Sequence, residues 1–441
     1  MADILPFRGA HYNPQLIDEL SAVICPPYDI ITPQMEQELH SKSVYNFIRL
    51  EEGRDLPQDT ATDNKYSRSA VTMEQWLKQG ILVIDQVPAI YMHDQYFTYQ
   101  GKEYRRRGII TRVRLEEWDK MVVRPHEGTL GRPKDDRLSL LWALQANTSS
   151  VLAMFEDEGQ QLACLLAAQE QGQPLINSTI DNGERHDVWA ITDPETINQI
   201  CSRLSHQPLY IADGHHRYES ALTYQREKRT YSTSVSGDEP YDYVMMTLVA
   251  FSDPGLLTLP PHRLIRGISK STLDELMAKL SSLFEIEELP LSTPGIWQQV
   301  ENILMPTNLS ETNRVVLILF GLAAESLLVL KLRDLDAVSQ MIPYFHCDLY
   351  KRLGVSVIDH VILEKLVGLS SESDKASLDY NYNKIDTVNR VLNQEYQLAI
   401  LLSPIDVTVI KAIADASDRM PRKSTYFYPK LPSGLVFNVL T

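Results

Sequence analysis

Apolar positions in the first quarter of the chain come in short runs and alternations that predict strands and helices in turn. Thr32 followed by Pro33 predicts a helix start, with a hydroxyl cap and proline at the first helical position. A helical pattern over 59–78 stops at Gly80, which can take the left-handed conformation that ends helices. Two alternating arms, 89–99 and 103–115, join near Gln100 and Gly101; they predict a hairpin with one solvated face. A polar loop over 124–137 then leads into an apolar helix, LSLLWALQ. The run Asp181-Asn182-Gly183 predicts a second hairpin turn, and Pro194–Leu204 a helix. At the centre lie an apolar strand, PLYIA, a turn at Asp213 and Gly214, and a helix, HHRYESALTYQREK. A strand over 242–251 and a turn at Asp253-Pro254-Gly255 close this part.

Beyond about Pro261 the pattern predicts a helix near 271–282, strand FEIEEL, a helix near 296–304 and a strand pair over 315–332. Helices over 356–367 and 384–392, a strand over 397–402 and a helix near 407–416 follow. The tail KSTYFYPKLPSGLVFNVL reads as extended, with a turn over 431–434. The expected fold class is mixed α/β. Its predicted organisation is an N-terminal segment over 1–80, a core over 80–260, a second α/β domain over 260–420 and an extended hairpin over 421–441.

Composition narrows the class. The chain has 441 residues, 44% hydrophobic and 23% charged, which excludes a collagen or a largely disordered polypeptide. Asp and Glu number 58 against 42 Lys and Arg, a formal charge of −16 that argues against a nucleic-acid partner. Cys25, Cys164, Cys201 and Cys347 form no CxxC pair, so neither a zinc cluster nor a disulfide framework is expected and a reducing, cytoplasmic location is. The opening MADILPFRGAHYNP does not read as a signal peptide. Gly321, Glu325 and Lys331 interrupt the most apolar segment, so no membrane span is expected there.

The chemistry-bearing segment is PLYIADGHHRYESAL. A helix beginning at His215 presents free N–H groups and the positive end of its dipole, where a phosphate is stabilised. Gly214 allows close approach of a ligand, Arg217 offers a bidentate fork, and His215 and His216 add donors. The blander reading is an Asp-Gly turn capped by ordinary polar side chains. Adjacent helical histidines diverge by about 100°, so no metal site is assigned to them. A second constellation holds His126, Glu127, Thr129, Lys134, Asp135, Asp136 and Arg137. Glu127 is the expected general base, His126 a further catalytic candidate, and Lys134 and Arg137 the expected phosphate clamps, against the alternative of a solvated loop. Further candidates are the pair His262 and Arg263, the tail residues Lys423, Ser424 and Thr425, and Asp29 in CPPYD. A domain junction, a sheet-edge hairpin and simple turn chemistry explain these equally well. No GxxxxGK[ST], GxSxG or HExxH pattern occurs.

The run IADGHHRYESAL resembles the signature of the prokaryotic family called domain of unknown function 1015. Further landmarks in order are AVICPPYDII, YNFIRL, RPHEGTLGRPKDDRLSLL, LPPHRLI and MPRKSTYFYPKLPSGLV. The GHHR segment also resembles the second box of the ParB/sulfiredoxin-like fold, in which free-serine kinases carry a nearly identical Asp-Gly-His-His-Arg run. That likeness covers some tens of residues and implies a ParB/sulfiredoxin-like core. In it Asp213 helps organise transfer, and Gly214, His215, His216 and Arg217 bind phosphate.

The expected function is therefore a nucleotide-dependent phosphotransferase acting on a small hydroxyl compound, with ATP or ADP as donor and Mg as its counterion. Two alternatives stand beside it. One is a nucleotide-gated ParB-like regulatory protein; the other is a hydrolase or sensor of a phosphorylated metabolite. The partners expected are a small-molecule substrate and a nucleotide, and the sequence leaves the oligomeric state open.

Overall fold

Successive side chains of a strand point to opposite faces, and in the first part of this protein both faces are covered. Strand Tyr243–Ala250 sends Val244, Met246 and Leu248 into one apolar cluster and Met245 into another. Ile109 and Ile110, and likewise Ile90 and Tyr91, divide in the same way. The computed structural model describes residues 2–129, 131–231, 237–306, 314–369 and 377–440. It is a mixed α/β structure of two units. One comprises Met1–Pro125, Thr129–Leu257 and Pro429–Thr441; the other comprises His126–Gly128 and Thr258–Tyr428.

The first unit is organised on a mixed sheet with nine strands among the described residues. In spatial order they are Val123–Arg124, Leu209–Asp213, Val151–Phe155, Tyr243–Ala250, Lys102–Arg114, Ile90–Tyr99, Arg185–Ile191 and Ile176–Thr179. Ile4–Leu5 pairs separately on Lys102–Arg114. Helix Pro33–Lys42 begins where its cap predicts, with Thr32 Oγ1 accepting from the Met35 N–H at 3.2 Å. The next helix is shorter than its pattern. It starts at Lys65 because the Asn64 side chain takes the N–H groups of Tyr66 and Ser67, and Ser67 returns a bond to the Asn64 backbone. Helix Gly131–Leu144 begins earlier than expected, so Lys134 to Arg137 belong to its first turns and not to a loop. Pro133 suits the opening of a helix, where its missing N–H costs nothing. Leu130 lies outside the described residues.

The hairpin turns at Gln100 and Gly101, both with positive φ, as a two-residue turn requires. Its expected solvated face is not there. His93, Asp94, Gln95, Arg106 and Arg107 are all buried, because they satisfy one another and their neighbours. Arg107 donates Nε to Asp94 Oδ1 at 2.7 Å and Nη2 to Oδ2 at 2.5 Å. Gln95 donates to Glu184 at 2.7 Å and accepts from Arg106. His93 and His186 stack with Nε2 and Nδ1 3.1 Å apart, and burial pushes His93 down to about 3. Polar alternation here marks a buried layer, a distinction that periodicity alone does not make.

In the second unit six strands pair antiparallel, in the order Phe284–Pro290, Ser326–Leu332, Val316–Phe320, Leu398–Leu401, His262–Ile265 and Leu378–Asn381. The apolar 315–332 segment is thus two paired strands. No helix among the described residues is long and apolar enough to cross a membrane. The tail does not form the expected hairpin. Tyr426–Tyr428 and Phe437–Val439 join different sheets, the latter lying between Gly9–Tyr12 and Ala146–Asn147. Pro429 and Pro432 lie between the two tail strands and supply no N–H for a hairpin ladder.

The Asp94–Arg107 pair gives a direct test. Asp94→Ala removes the bidentate partner of a buried guanidinium and leaves it only the exposed Glu170, which costs about 1–3 kcal/mol. Denaturant unfolding should show that loss, and a change under about 1 kcal/mol would place the pair with surface ion pairs instead.

Candidate functional site

Strand Leu209–Asp213 is apolar and buried up to Ala212 because it lies inside the sheet, parallel to Val123–Arg124 and antiparallel to Val151–Phe155. Ile211 pairs with Ala153 and Asp213 with Leu152, so Ala212 is an extra residue and the ladder shifts at the strand end. The chain then turns through Gly214, φ +92°, into helix His215–Tyr231, whose first bond runs from the Tyr218 N–H to the Gly214 carbonyl at 3.0 Å. Arg217 folds back over this turn. Its Nη2 donates to Asp213 Oδ2 at 2.8 Å and its Nη1 to the Ser150 carbonyl at 2.5 Å. A Cβ on residue 214 would stand 2.9 Å from Arg217 Nε, so both the dihedral and the guanidinium require glycine.

The other oxygen of Asp213 meets the tail. Lys430 Nζ lies 2.5 Å from Asp213 Oδ1 and 3.2 Å from Asp29 Oδ2. Asp29 belongs to the short helical turn Tyr28–Ile30, next to Cys25, whose backbone exchanges two hydrogen bonds with Ser433. The segment carrying Lys430 is clamped from beneath. Arg106 Nη2 donates to the Pro429 carbonyl at 2.6 Å, and Gln95 Nε2 to the Lys430 carbonyl at 3.3 Å.

Electrostatics follow from this pairing. Burial pushes the Asp213 carboxyl up, but Lys430 and then Arg217 outweigh it and hold the group well below the usual carboxylate range. Burial takes the Tyr28 phenol up to about 12 against the opposing fields of Arg217 and Arg137. Burial also lowers Arg106, to about 10, with Asp253, Glu184 and Asp213 opposing. Arg137 stacks 4.1 Å over the Tyr28 ring and is bound to Glu52 at 2.8 Å, to the Glu51 carbonyl at 2.9 Å and to Asp136. Lys65 joins this cluster through Glu52 and Asp136. A cavity of about 40 Å³ lies between Arg137 and Arg217, lined also by Asn147, Thr148, Ser149 and Ser220. It has room for roughly two or three waters.

Of the residues singled out in the sequence, Asp29, Asp213, Gly214 and Arg217 come together here. His215 is buried and His216 half-buried at the head of the same helix. Lys134 and Arg137 lie on helix Gly131–Leu144, packed so that the Lys134 carbonyl accepts from Ser220 Oγ at 2.8 Å. His126 and Glu127 fall in the second unit. There His126 is buried beside Phe427 with Nε2 3.1 Å from Thr425 Oγ1, and its carbonyl accepts from the Met420 N–H. Glu127 Oε1 accepts from the Lys423 N–H at 2.5 Å, and Ser424 Oγ donates to the Pro421 carbonyl. Arg263 is fully buried, bound to the Lys423 carbonyl at 2.9 Å and to Asp359 at 3.4 Å. Burial, with Lys384 and Arg263, takes His262 down to about 3, and its Nδ1 accepts from the Leu402 N–H. One loop of acid–base residues and clamps is therefore replaced by two groups in two units. Among the described residues no three His, Cys, Asp or Glu side chains gather to hold a metal.

Lys430, Tyr28, Arg106 and Glu51 were not singled out from sequence. The signal for Arg106 is the run Arg105-Arg106-Arg107 in a strand, where alternation must send the middle one to the other face. The pairing of Asp213 also predicts a pH response. Its folded value lies below the unfolded one of about 3.9, so its contribution is complete at neutral pH and is lost as acid protonates it. The stability difference between wild type and Asp213→Asn should narrow between about pH 5 and pH 2. Unfolding curves across that range measure it, and a constant difference would contradict the assignment.

Comparison with solved structures finds weak likenesses. A conserved hypothetical protein from Pyrococcus furiosus is 13% identical, covering 76% of this chain and 97% of its own at a TM-score of 0.35. A free serine kinase variant in complex with ADP is 10% identical, with 76% and 94% covered and a TM-score of 0.36. SbnI with a C-terminal truncation, from Staphylococcus aureus, is also 10% identical, with 75% and 87% covered and a TM-score of 0.34. Scores at this level leave the reading to the residues themselves. No curated protein matches the chain. The family model described as protein of unknown function (DUF1015) matches residues 4–349, and the chain belongs to that family.

Proposed function

We propose that the first unit is a nucleotide-dependent phosphotransferase acting on a small hydroxyl compound, built on a ParB/sulfiredoxin-like core. The observation that carries this reading is the turn 213–217, where a glycine of positive φ, a helix N-terminus and two cations surround one half-buried carboxylate. Phosphate oxygens take the N–H groups at the head of helix His215–Tyr231, with Arg217 and the two histidines as further donors. Asp213, ionised and paired on both oxygens, is a poor base; its part is to orient the cations. Asp29, paired once, is the carboxylate left to take the acceptor's hydroxyl proton as that oxygen bonds to phosphorus and the bond to the nucleotide breaks. Asp29 is an oxygen donor of the kind magnesium accepts, and the ion would supply charge neutralisation on the phosphates. With its four cysteines free, the protein suits a reducing compartment, and the cytoplasm is the location we assign.

The test is incubation with ATP or ADP, magnesium and a panel of hydroxyl compounds that includes serine, with products followed by phosphorus NMR. Transfer is expected, and Asp213→Asn should lower its rate by about a hundredfold or more. Retention of the wild-type rate in that variant, or no melting-temperature rise with any nucleotide, would overturn the reading. The cavity of about 40 Å³ favours one second reading, a sensor or hydrolase that takes only the phosphate of a phosphorylated metabolite. Release of inorganic phosphate without a phosphorylated acceptor would identify it.

A further inference from the structure

Lys430 sits where a surface lysine would not. Its side chain is 9% exposed, its ammonium lies between two carboxylates, and both carbonyls around its Cα position are engaged: that of Pro429 by Arg106, its own by Gln95. Arg106 is itself buried and leaves Nη1 without a hydrogen-bond partner. The same tail segment exchanges backbone bonds at Ser433 with Cys25, in the loop that carries Asp29. Holding a lysine this firmly costs side-chain freedom, and the clamp fixes the ammonium on the side of Asp213 opposite Arg217.

The charges count two against two: Asp29 and Asp213 against Lys430 and Arg217. An incoming anion must compete with both carboxylates for these cations. A single phosphate meets both cations only as the Asp213 carboxylate does, by sharing its oxygens between them, whereas a diphosphate gives each cation a phosphate of its own and replaces both carboxylates. We infer that Lys430 is a phosphate-contacting residue of the site and that its ligand is a nucleotide with two or more phosphates. This rests on the phosphotransferase reading. Lys430 then exchanges Asp29 and Asp213 for the distal phosphate, while Arg217 and the helix N-terminus hold the proximal one.

The experiment is calorimetric titration of the full chain with adenosine, AMP, ADP and ATP. Wild type should bind ADP more tightly than AMP. Lys430→Met should weaken ADP by about tenfold or more, as loss of a charged hydrogen bond does, and leave AMP within about twofold. Asp29→Asn removes a competitor for the ammonium and should tighten ADP, a direction that a merely structural lysine does not produce. Lys430→Arg, which keeps the charge, should retain part of the ADP preference. Equal weakening of AMP and ADP in Lys430→Met, or weaker ADP binding in Asp29→Asn, overturns the inference. If Lys430→Met does not fold, the Asp29→Asn and Lys430→Arg results decide it alone. Failure of the wild type to bind any nucleotide sinks the phosphotransferase reading as well. Wild-type ADP binding that Lys430→Met leaves unchanged sinks this inference only.

Discussion

Asp213 carries a cation on each of its two oxygens, and much of the first unit is arranged so that it can. Desolvation favours the protonated form of this half-buried carboxyl; Lys430 on one oxygen and Arg217 on the other outweigh it and hold the group ionised. Each partner imposes a demand. Arg217 lies against residue 214, which must therefore be glycine, and Lys430 requires the tail to lie against the CPPYD loop.

The demands propagate inward. The tail segment is held by Arg106 and Gln95, Gln95 is oriented by Glu184, and Glu184 accepts from Asn182 in the hairpin turn. A buried polar chain thus runs from a surface turn to the candidate site through the middle of the sheet. Such chains are costly to break, so the position of Lys430 depends on side chains as distant as Asn182. In the neighbouring cluster Arg137 and Lys65 are shared among Glu51, Glu52 and Asp136, and Arg137 holds the Tyr28 ring beside the site.

Local features of this arrangement were open to inspection in the sequence. The apolar strand, the Asp-Gly turn and the helix beginning at His215 occur where the pattern predicts them, as do the cap at Thr32, helix Pro194–Leu204 and both hairpin turns. Each is decided within a few residues, by periodicity, a cap or a turn preference. The errors share a cause too. Polar alternation in the first hairpin predicts a wet face because exposure to water and burial beside a partner produce the same period. The run from Arg124 to Arg137 predicts one loop because ionisable density says nothing about where a helix starts, and the helix begins at Gly131.

The sequence by itself determined the fold class, the family and the strand–turn–helix around Asp213 and Gly214, since these depend on neighbours in the chain. Tertiary structure alone decided which charges meet there. Lys430 reaches Asp213 across 217 positions, and Glu127 lies with Lys423 in the other unit. Contacts of that range are chosen by which donor the folded backbone brings to a carboxylate, and no local pattern records that choice.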